Sequence, residues 1–175
     1  MSRFLCLLAI SSSLLACSGD DCGSPGSANY GLVASSDQVT LAYGNLMARA
    51  GNDCPVVDQS IVVSLTIEGT QMGSGGGLLT LCIPRPDQLN AAVSLGTDVK
   101  LVQLTGSDDT CSYKLDSGHI PSGKVTGKGV CSDGTDKAGF GLVFDGFIGL
   151  TRTCGTTIDT VSVGLTGDVE VTPTN

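Results

Sequence analysis

The chain has 175 residues, a formal net charge of −8, eight cysteines, one histidine and no tryptophan. Nucleic acid and anionic lipid headgroups repel negative charge, so neither is expected as a partner surface. A zinc site built from three histidines is excluded, since the chain holds only one.

A short apolar segment stands at the start of the chain. Arg3 precedes the apolar run Phe4 to Ile10, three serines interrupt it, and Leu14-Leu15-Ala16-Cys17 closes it. A membrane-spanning helix needs roughly 18 apolar residues, so this run is too short to be one. Its order of charge, apolar run and cysteine is typical of a secretory signal peptide, and it favours that over a buried core strand.

The residues Leu14-Leu15-Ala16-Cys17 resemble the lipobox of bacterial lipoproteins. The resemblance covers residues 1–17. It implies that lipid is added to the Cys17 thiol, that a signal peptide over residues 1–16 is removed, and that the new amine is acylated, with palmitate as an expected acyl group. Two or more acyl chains anchor a protein stably. Ser18 favours the outer membrane by the enteric sorting pattern.

The mature chain divides into a tether and one domain. Residues 17–28 hold the lipidated cysteine and a stretch rich in Ser, Gly and Asp, which predicts a flexible linker. Residues 29–175 are long enough for a single domain with a hydrophobic core. The expected environment is therefore a bacterial cell envelope, with the domain held at the membrane through its N-terminal lipid.

Six cysteines remain in the mature chain besides Cys17: Cys22, Cys54, Cys82, Cys111, Cys131 and Cys154. An even number in an exported chain predicts three disulfides, and a metal site is disfavoured because no CxxC pair occurs. We expect Cys111 to pair with Cys131, because the intervening residues are predicted as strand, turn and strand folded about Pro121. The other four cysteines then form two bridges in one of three ways.

Alternation of apolar and polar residues recurs along the domain and predicts half-buried strands. The clearest case is the last, where Val161, Val163, Leu165, Val169 and Val171 share one face. Such runs with Gly, Asp and Ser turns predict an all-β fold, an antiparallel sandwich or barrel of about eight strands. The predicted runs are 39–43 (with a bend or bulge at Gly44), 61–67, 78–83, 99–104, 111–115, 124–130, 140–150 and 160–171. Residues 86–94 predict two helical turns, and residues 46–50 suit either helix or strand.

Four loops are candidate sites. The glycine-rich loop 73–77 precedes a predicted strand and has no nearby lysine, so it is interpreted as a hairpin loop and not a phosphate cradle. His119 lies in a glycine-flanked loop with no evident rigid support, which disfavours a Ser-His-Asp arrangement. The acidic loops 106–110 and 133–136 are interpreted as turns, with Asp133 and Asp136 kept as a weak Ca²⁺ site.

These observations give two functional expectations. The favoured one is a lipid-anchored, non-catalytic envelope or surface β-domain without a cofactor, which binds an unknown protein or envelope ligand or has a structural role. In this respect the chain looks like the many small uncharacterised lipoproteins of bacterial envelopes. The alternative is an envelope hydrolase that uses Asp carboxylates. A concave pocket whose carboxyls have raised pKa values would favour the enzyme, and an exposed apolar patch would favour the binding domain.

Overall fold

A computed structural model of the chain describes residues 31–51, 64–73, 76–84, 92–132 and 138–171. These residues form an all-β fold, as the alternating pattern predicts. Its strands are β1 (Gly31–Ser35), β2 (Thr40–Gly51), β3 (Ser64–Gln71), β4 (Leu78–Pro84), β5 (Ala92–Ser94), β6 (Lys100–Ser107), β7 (Ser112–Leu115), β8 (Ser122–Ser132), β9 (Ala138–Cys154) and β10 (Thr157–Val171). Within these ranges, no helix is long and apolar enough to cross a membrane.

The helix expected over residues 86–94 is wrong for residues 92–94, the part of it that the structure describes. Ala92–Ser94 form β5, which pairs with Lys124 to Thr126 of β8. Cross-strand pairing overrides the weak local preference for a helical turn. Residues 46–50, which suited either structure, lie in β2.

Eight of the strands close into an antiparallel barrel. They follow the order β10-β1-β2-β3-β4-β6-β7-β9, and β9 pairs again with β10. Closure leaves no free edge around this ring, which removes the exposed backbone groups that an open sheet presents. Of the two predicted architectures, the barrel is therefore confirmed and the sandwich is not formed.

The two remaining strands extend the wall of the barrel. β10 pairs with β9 from end to end, so β7 and β8 must lie one after the other along the opposite side of β9. β6 pairs with β7, and β5 pairs with β8 in the same way. β7 and β8 thus form one composite strand, β5 and β6 form a second beside it, and each is interrupted once. In the β7–β8 strand the interruption is the loop 116–121.

The predicted inward faces are confirmed by burial. On β9, Leu142, Phe144, Ile148 and Leu150 are buried, whereas Phe147 on the other face is 62 % exposed. A barrel of eight strands has an interior just wide enough for side chains to fill. Here the interior holds one continuous apolar cluster, to which all eight barrel strands contribute at least one side chain. The bend predicted at Gly44 is a β-bulge between Gly44 and Met47, where Asn45 has a φ of 50°.

A group of polar side chains, here called the rim network, lies at one end of the barrel. Its members are Gln38, Asp108, Tyr113, Arg152 and Asp159. The Arg152 guanidinium donates to both carboxylate oxygens of Asp159, at 2.9 and 2.5 Å, and to the Gln38 side chain at 3.0 Å. The Tyr113 hydroxyl donates to Asp108 at 2.6 Å. Hydrogen bonds thus join the β1–β2 loop to β9 and β10, and a separate one joins the β6–β7 loop to β7.

The predicted Cys111–Cys131 disulfide is wrong. Cys111 is bonded to Cys154, with a Cα–Cα distance of 4.3 Å. The error lies in the assumed hairpin about Pro121. Because β7 and β8 run in the same direction along β9, Cys131 pairs in register with Gly139, about 50 Å along β9 from Cys154. The assignment of Cys154 to one of the other two bridges is wrong for the same reason. Cys82 is also disulfide-bonded.

Candidate functional site

The loop 116–121 folds back over the outer face of β9. The Asp116 N–H donates to the Gly149 carbonyl at 3.0 Å, and the His119 N–H donates to the Asp116 carbonyl at 3.2 Å. Gly149 makes this contact possible. A Cβ at position 149 would lie 2.7 Å from the His119 Cβ, which is closer than real Cβ atoms approach. The histidine side chain therefore rests on a bare stretch of β9 backbone.

The His119 ring is held by a carboxylate. Its Nδ1 lies 2.5 Å from Asp116 Oδ2, and the Gly118 N–H donates to Asp116 Oδ1 at 2.9 Å. The hydrogen bond from the Gly118 N–H, followed by that from His119 and helped by one from Thr160, lowers the pKa of the Asp116 carboxyl below its ordinary value. A carboxylate accepts, so Nδ1 carries the hydrogen and Nε2 is the nitrogen left for a ligand. The expectation that His119 lacks support is wrong.

The loop forms one wall of a surface groove, here called the His119 groove. Its volume is about 340 Å³, near the lower end of the range of roughly 300–1,000 Å³ for ligand pockets. Ser162 and Gly149 are register partners on β10 and β9, so the serine lies across from the histidine. The residues that line the groove are His119, Ile120, Ser122, Phe147, Ile148, Gly149, Thr160 and Ser162.

The groove combines hydroxyl groups with exposed apolar side chains. Ile120 is 82 % exposed and Phe147, whose ring stands on the outer face of the barrel, is also largely in solvent. The Ser122, Thr160 and Ser162 hydroxyls complete the lining. Large apolar side chains grouped at one concave place are typical of a binding surface.

A second groove lies on the outer face of β2, β3 and β4. It has a volume of about 230 Å³, and its lining includes Asn45, Met47, Glu68 and Leu78. Met47 and Leu78 are both about half exposed. This groove lacks an imidazole held in one orientation, so the His119 groove is the stronger candidate.

Several predicted site residues lie outside the described residues. They are the lipidation residue Cys17, the disulfide candidates Cys22 and Cys54, and the Ca²⁺ candidates Asp133 and Asp136. The side chain of Cys131 lies outside them as well. In the part of the chain that the structure describes, no three His, Cys, Asp or Glu residues are grouped to hold a metal ion.

The interpretation of loop 106–110 as a turn and that of loop 73–77 as a hairpin loop are both confirmed. Asp108 Oδ1 accepts from the N–H groups of Thr110 and Cys111, at 2.8 and 2.7 Å, so this carboxylate closes a turn. The glycine-rich loop joins the antiparallel strands β3 and β4, and the Gln71 N–H donates to the Gly77 carbonyl across it. It opens no helix, which a phosphate cradle requires.

Sequence reasoning missed Asp116, Thr160 and Ser162 as neighbours of His119. Asp116 had a local signal, because Asp followed two residues later by Gly is typical of a turn in which the side chain accepts a backbone N–H. The two hydroxyls belong to β10, and only the register of β9 with β10 brings them to the histidine.

No protein-family model matches the chain, and comparison with curated proteins and with solved structures finds no match. The function is therefore argued from the site alone.

Proposed function

We propose that the chain is an exported, lipid-anchored β-barrel of a bacterial envelope, and that it binds a ligand and catalyses no reaction. The lipobox-like residues Leu14 to Cys17 support the anchor, and the disulfide between Cys111 and Cys154 fits an oxidising compartment. The barrel interior is filled by side chains, so binding is assigned to the outer surface.

One observation carries the binding role. The His119 groove places an oriented imidazole, three hydroxyls and two exposed apolar side chains around one depression. Hydrogen bonds lower the pKa values of three carboxyls below the ordinary value. The main donor is Tyr113 for Asp108, Gly118 for Asp116 and Arg152 for Asp159. A carboxylic acid catalyst needs the opposite shift. These carboxyls therefore favour a binding role.

Crosslinking in the native envelope tests the proposal. A photo-crosslinking residue at position 120, on the groove, is expected to capture a ligand, whereas the same residue at position 102, elsewhere on the outer surface, is not. Adding Phe147→Ala should abolish the adduct, and adding Met47→Ala, which truncates an exposed side chain of the second groove, should leave it unchanged. An adduct of equal yield at both positions, or one indifferent to Phe147→Ala, contradicts the proposal.

A hydrolase is the second candidate, because Asp116 and His119 resemble two members of a Ser-His-Asp triad and Ser162 lines the same groove. A fluorophosphonate probe separates the two functions, since it reacts with an activated serine. We expect no labelling of Ser162 in the folded protein. Labelling of Ser162 that His119→Ala removes, with the melting temperature unchanged, would favour the hydrolase.

A further inference from the structure

The hydrogen-bonding groups of the His119 groove both donate and accept. The Ser122 and Ser162 hydroxyls each have one donor and two acceptor sites, whereas the Thr160 hydroxyl donates to Asp116 and keeps acceptor sites for a ligand. His119 gives its Nδ1 hydrogen to Asp116, so Nε2 is an acceptor whenever the ring is neutral. Among the described residues, the side chains that line the groove include no carboxylate, lysine or arginine.

This inventory disfavours charged ligands. An anion needs donors, yet the Asp116 carboxylate stands behind the imidazole and the chain carries a net charge of −8. A cation needs charged oxygen ligands, and Asp116 already accepts hydrogen bonds from Gly118, His119 and Thr160. The groove therefore suits a neutral ligand that is rich in groups able both to donate and to accept.

The strand pairing around the groove disfavours an extended peptide. Ser122 pairs with Phe147, and Ser162 pairs with Gly149, so the described backbone here is engaged in the barrel wall. A peptide that adds as a strand needs an unpaired edge. The groove instead offers an exposed aromatic ring, whose negative face attracts polarised C–H groups.

We propose that the His119 groove binds one ring of an uncharged glycan, an inference that rests on the proposed binding function. The C–H face of a pyranose would lie against the Phe147 ring. Its hydroxyls would exchange hydrogen bonds with Ser122, Ser162 and Nε2 of His119. The volume of about 340 Å³ suits one or two sugar rings, with the rest of the glycan in solvent.

Titration of the full chain with uncharged trisaccharides tests this proposal. The isotope-labelled protein, in a detergent whose headgroup is not a sugar, is titrated with chitotriose, cellotriose and maltotriose while amide chemical shifts are recorded. We expect at least one to shift the amides of residues 119, 120, 122, 147–149 and 160–162. The dissociation constant should be on the order of 1 mM, because a single ring makes the contact. A uronic acid trimer should bind at least tenfold more weakly.

Matched variants locate the site. Phe147→Ala should weaken trisaccharide binding at least tenfold, and Phe147→Tyr, which keeps the ring, should restore it. Gly149→Ala places a Cβ 2.7 Å from the His119 Cβ and should abolish binding by displacing the loop. Gly164→Ala is its control, because a Cβ there meets its nearest atoms at 3.6 and 3.9 Å.

The proposal is overturned if none of the three trisaccharides shifts these amides, if Phe147→Ala binds as well as the wild type, or if the uronic acid trimer binds equally. Should the trisaccharides fail while the crosslink at position 120 still depends on Phe147, the glycan assignment is wrong and the binding function stands. If the trisaccharides shift no amides and the crosslink at position 120 does not depend on Phe147, both the glycan assignment and the binding function are wrong.

Discussion

Tyr43 is a tyrosine whose ring fills the barrel interior while its hydroxyl satisfies a backbone carbonyl. The side chain is 1 % exposed, and the hydroxyl donates to the Thr105 carbonyl at 2.7 Å. Burial raises the pKa of Tyr43 above its ordinary value. We expect Tyr43→Phe to lower the free energy of unfolding by about 1 kcal/mol, the usual net value of one such hydrogen bond. Urea unfolding measures the loss, with Ser112→Ala on the exposed face of β7 as control. A loss no larger than that of the control would show that the hydrogen bond contributes nothing.

Asp108 gives the rim network a dependence on acid. Hydrogen bonds from the Tyr113 hydroxyl first, then from the N–H groups of Thr110 and Cys111, lower the pKa of the Asp108 carboxyl. A group whose folded-state pKa is depressed stabilises the fold above its unfolded value of about 4, and this contribution is lost as pH falls below that value. Burial is the main cause that raises the pKa of Tyr113 to about 12, and the hydrogen bond to Asp108 is the second.

We therefore expect Asp108→Asn to flatten the decline in melting temperature between about pH 4 and pH 2. Asparagine keeps an oxygen that accepts the turn N–H groups, so the fold is retained. Asp37→Asn, in the exposed β1–β2 loop, removes a charge without removing this hydrogen-bonded carboxylate. Melts across the pH range decide the matter. Equal slopes for Asp108→Asn and the wild type would show that other carboxyls control acid unfolding.

At the scale of single elements, β7 is the shortest strand of the barrel ring. It has four residues and pairs with only three residues of β6, yet it closes the ring against β9. The disulfide joins Cys111, just before β7, to Cys154, at the end of β9. It fixes the short strand where hydrogen bonds alone are few.

Removing this disulfide should be costly. The two cysteines are 43 positions apart, and closing a loop of that length corresponds to an upper value of about 4 kcal/mol in the chain-entropy model. We expect Cys111→Ser with Cys154→Ser to lower the free energy of unfolding by about 2–4 kcal/mol. The control is Ser112→Ala with Thr153→Ala, the next register pair. Non-reducing peptide mapping first checks that Cys111 and Cys154 are linked, and a linkage of Cys111 to any other cysteine would contradict the pairing.

Local patterns predicted most of the strands and the faces of β9, but they missed β1 and predicted a helix where β5 lies. Alternation placed Leu142, Phe144 and Leu150 inside and Phe147 outside, because a strand turns successive side chains to opposite faces. The sequence did not predict which strands are neighbours. The Cys154 partner of Cys111 lies 43 positions away and leaves no local signal, so it was missed. The pairing of Ser162 with Gly149 was missed because it depends on the exact position of the β9–β10 turn, which sets the register of the hairpin. A loop such as 116–121 reads locally as a hairpin turn, although here it interrupts a composite strand.

At the scale of the whole molecule, the direction of β1 distinguishes the two ends of the barrel. β1 begins at Gly31, shortly after the tether over residues 17–28, and runs toward the loop that carries Gln38 of the rim network. The rim network and the Cys111–Cys154 disulfide therefore lie at the end of the barrel opposite to the one where β1 begins.

Lipidation of Cys17 is tested by fractionation. We expect Cys17→Ser to move the protein from the membrane fraction to the soluble periplasm or the medium, because the acyl chains supply the anchor. Cys6→Ser, which changes a cysteine inside the signal peptide, should leave the protein in the membrane fraction. Mass analysis of the wild-type N-terminal peptide should find acyl groups. A membrane-bound Cys17→Ser protein together with an unmodified wild-type peptide would contradict the anchor.

The way in which the ring closes also bears on how fast the protein folds. β9 and β10 are joined by a two-residue turn with Gly155 at a φ of 59°, so their fifteen register pairs form between residues near in sequence. The pairing of β1 with β10 joins Gly31 to Asp168, 137 positions away (168 − 31). Contacts between distant residues form slowly because the chain must first close a long loop.

We therefore expect the β9–β10 hairpin to form early and the β1–β10 seam to close last. Pulsed hydrogen exchange during refolding measures this order, as protection of β9 and β10 amides before those of β1. Simultaneous protection of all three strands would contradict it. Until the seam closes, β1 and the outer side of β10 are unpaired strand edges, and the intermediate is exposed to pairing with a second chain during this interval.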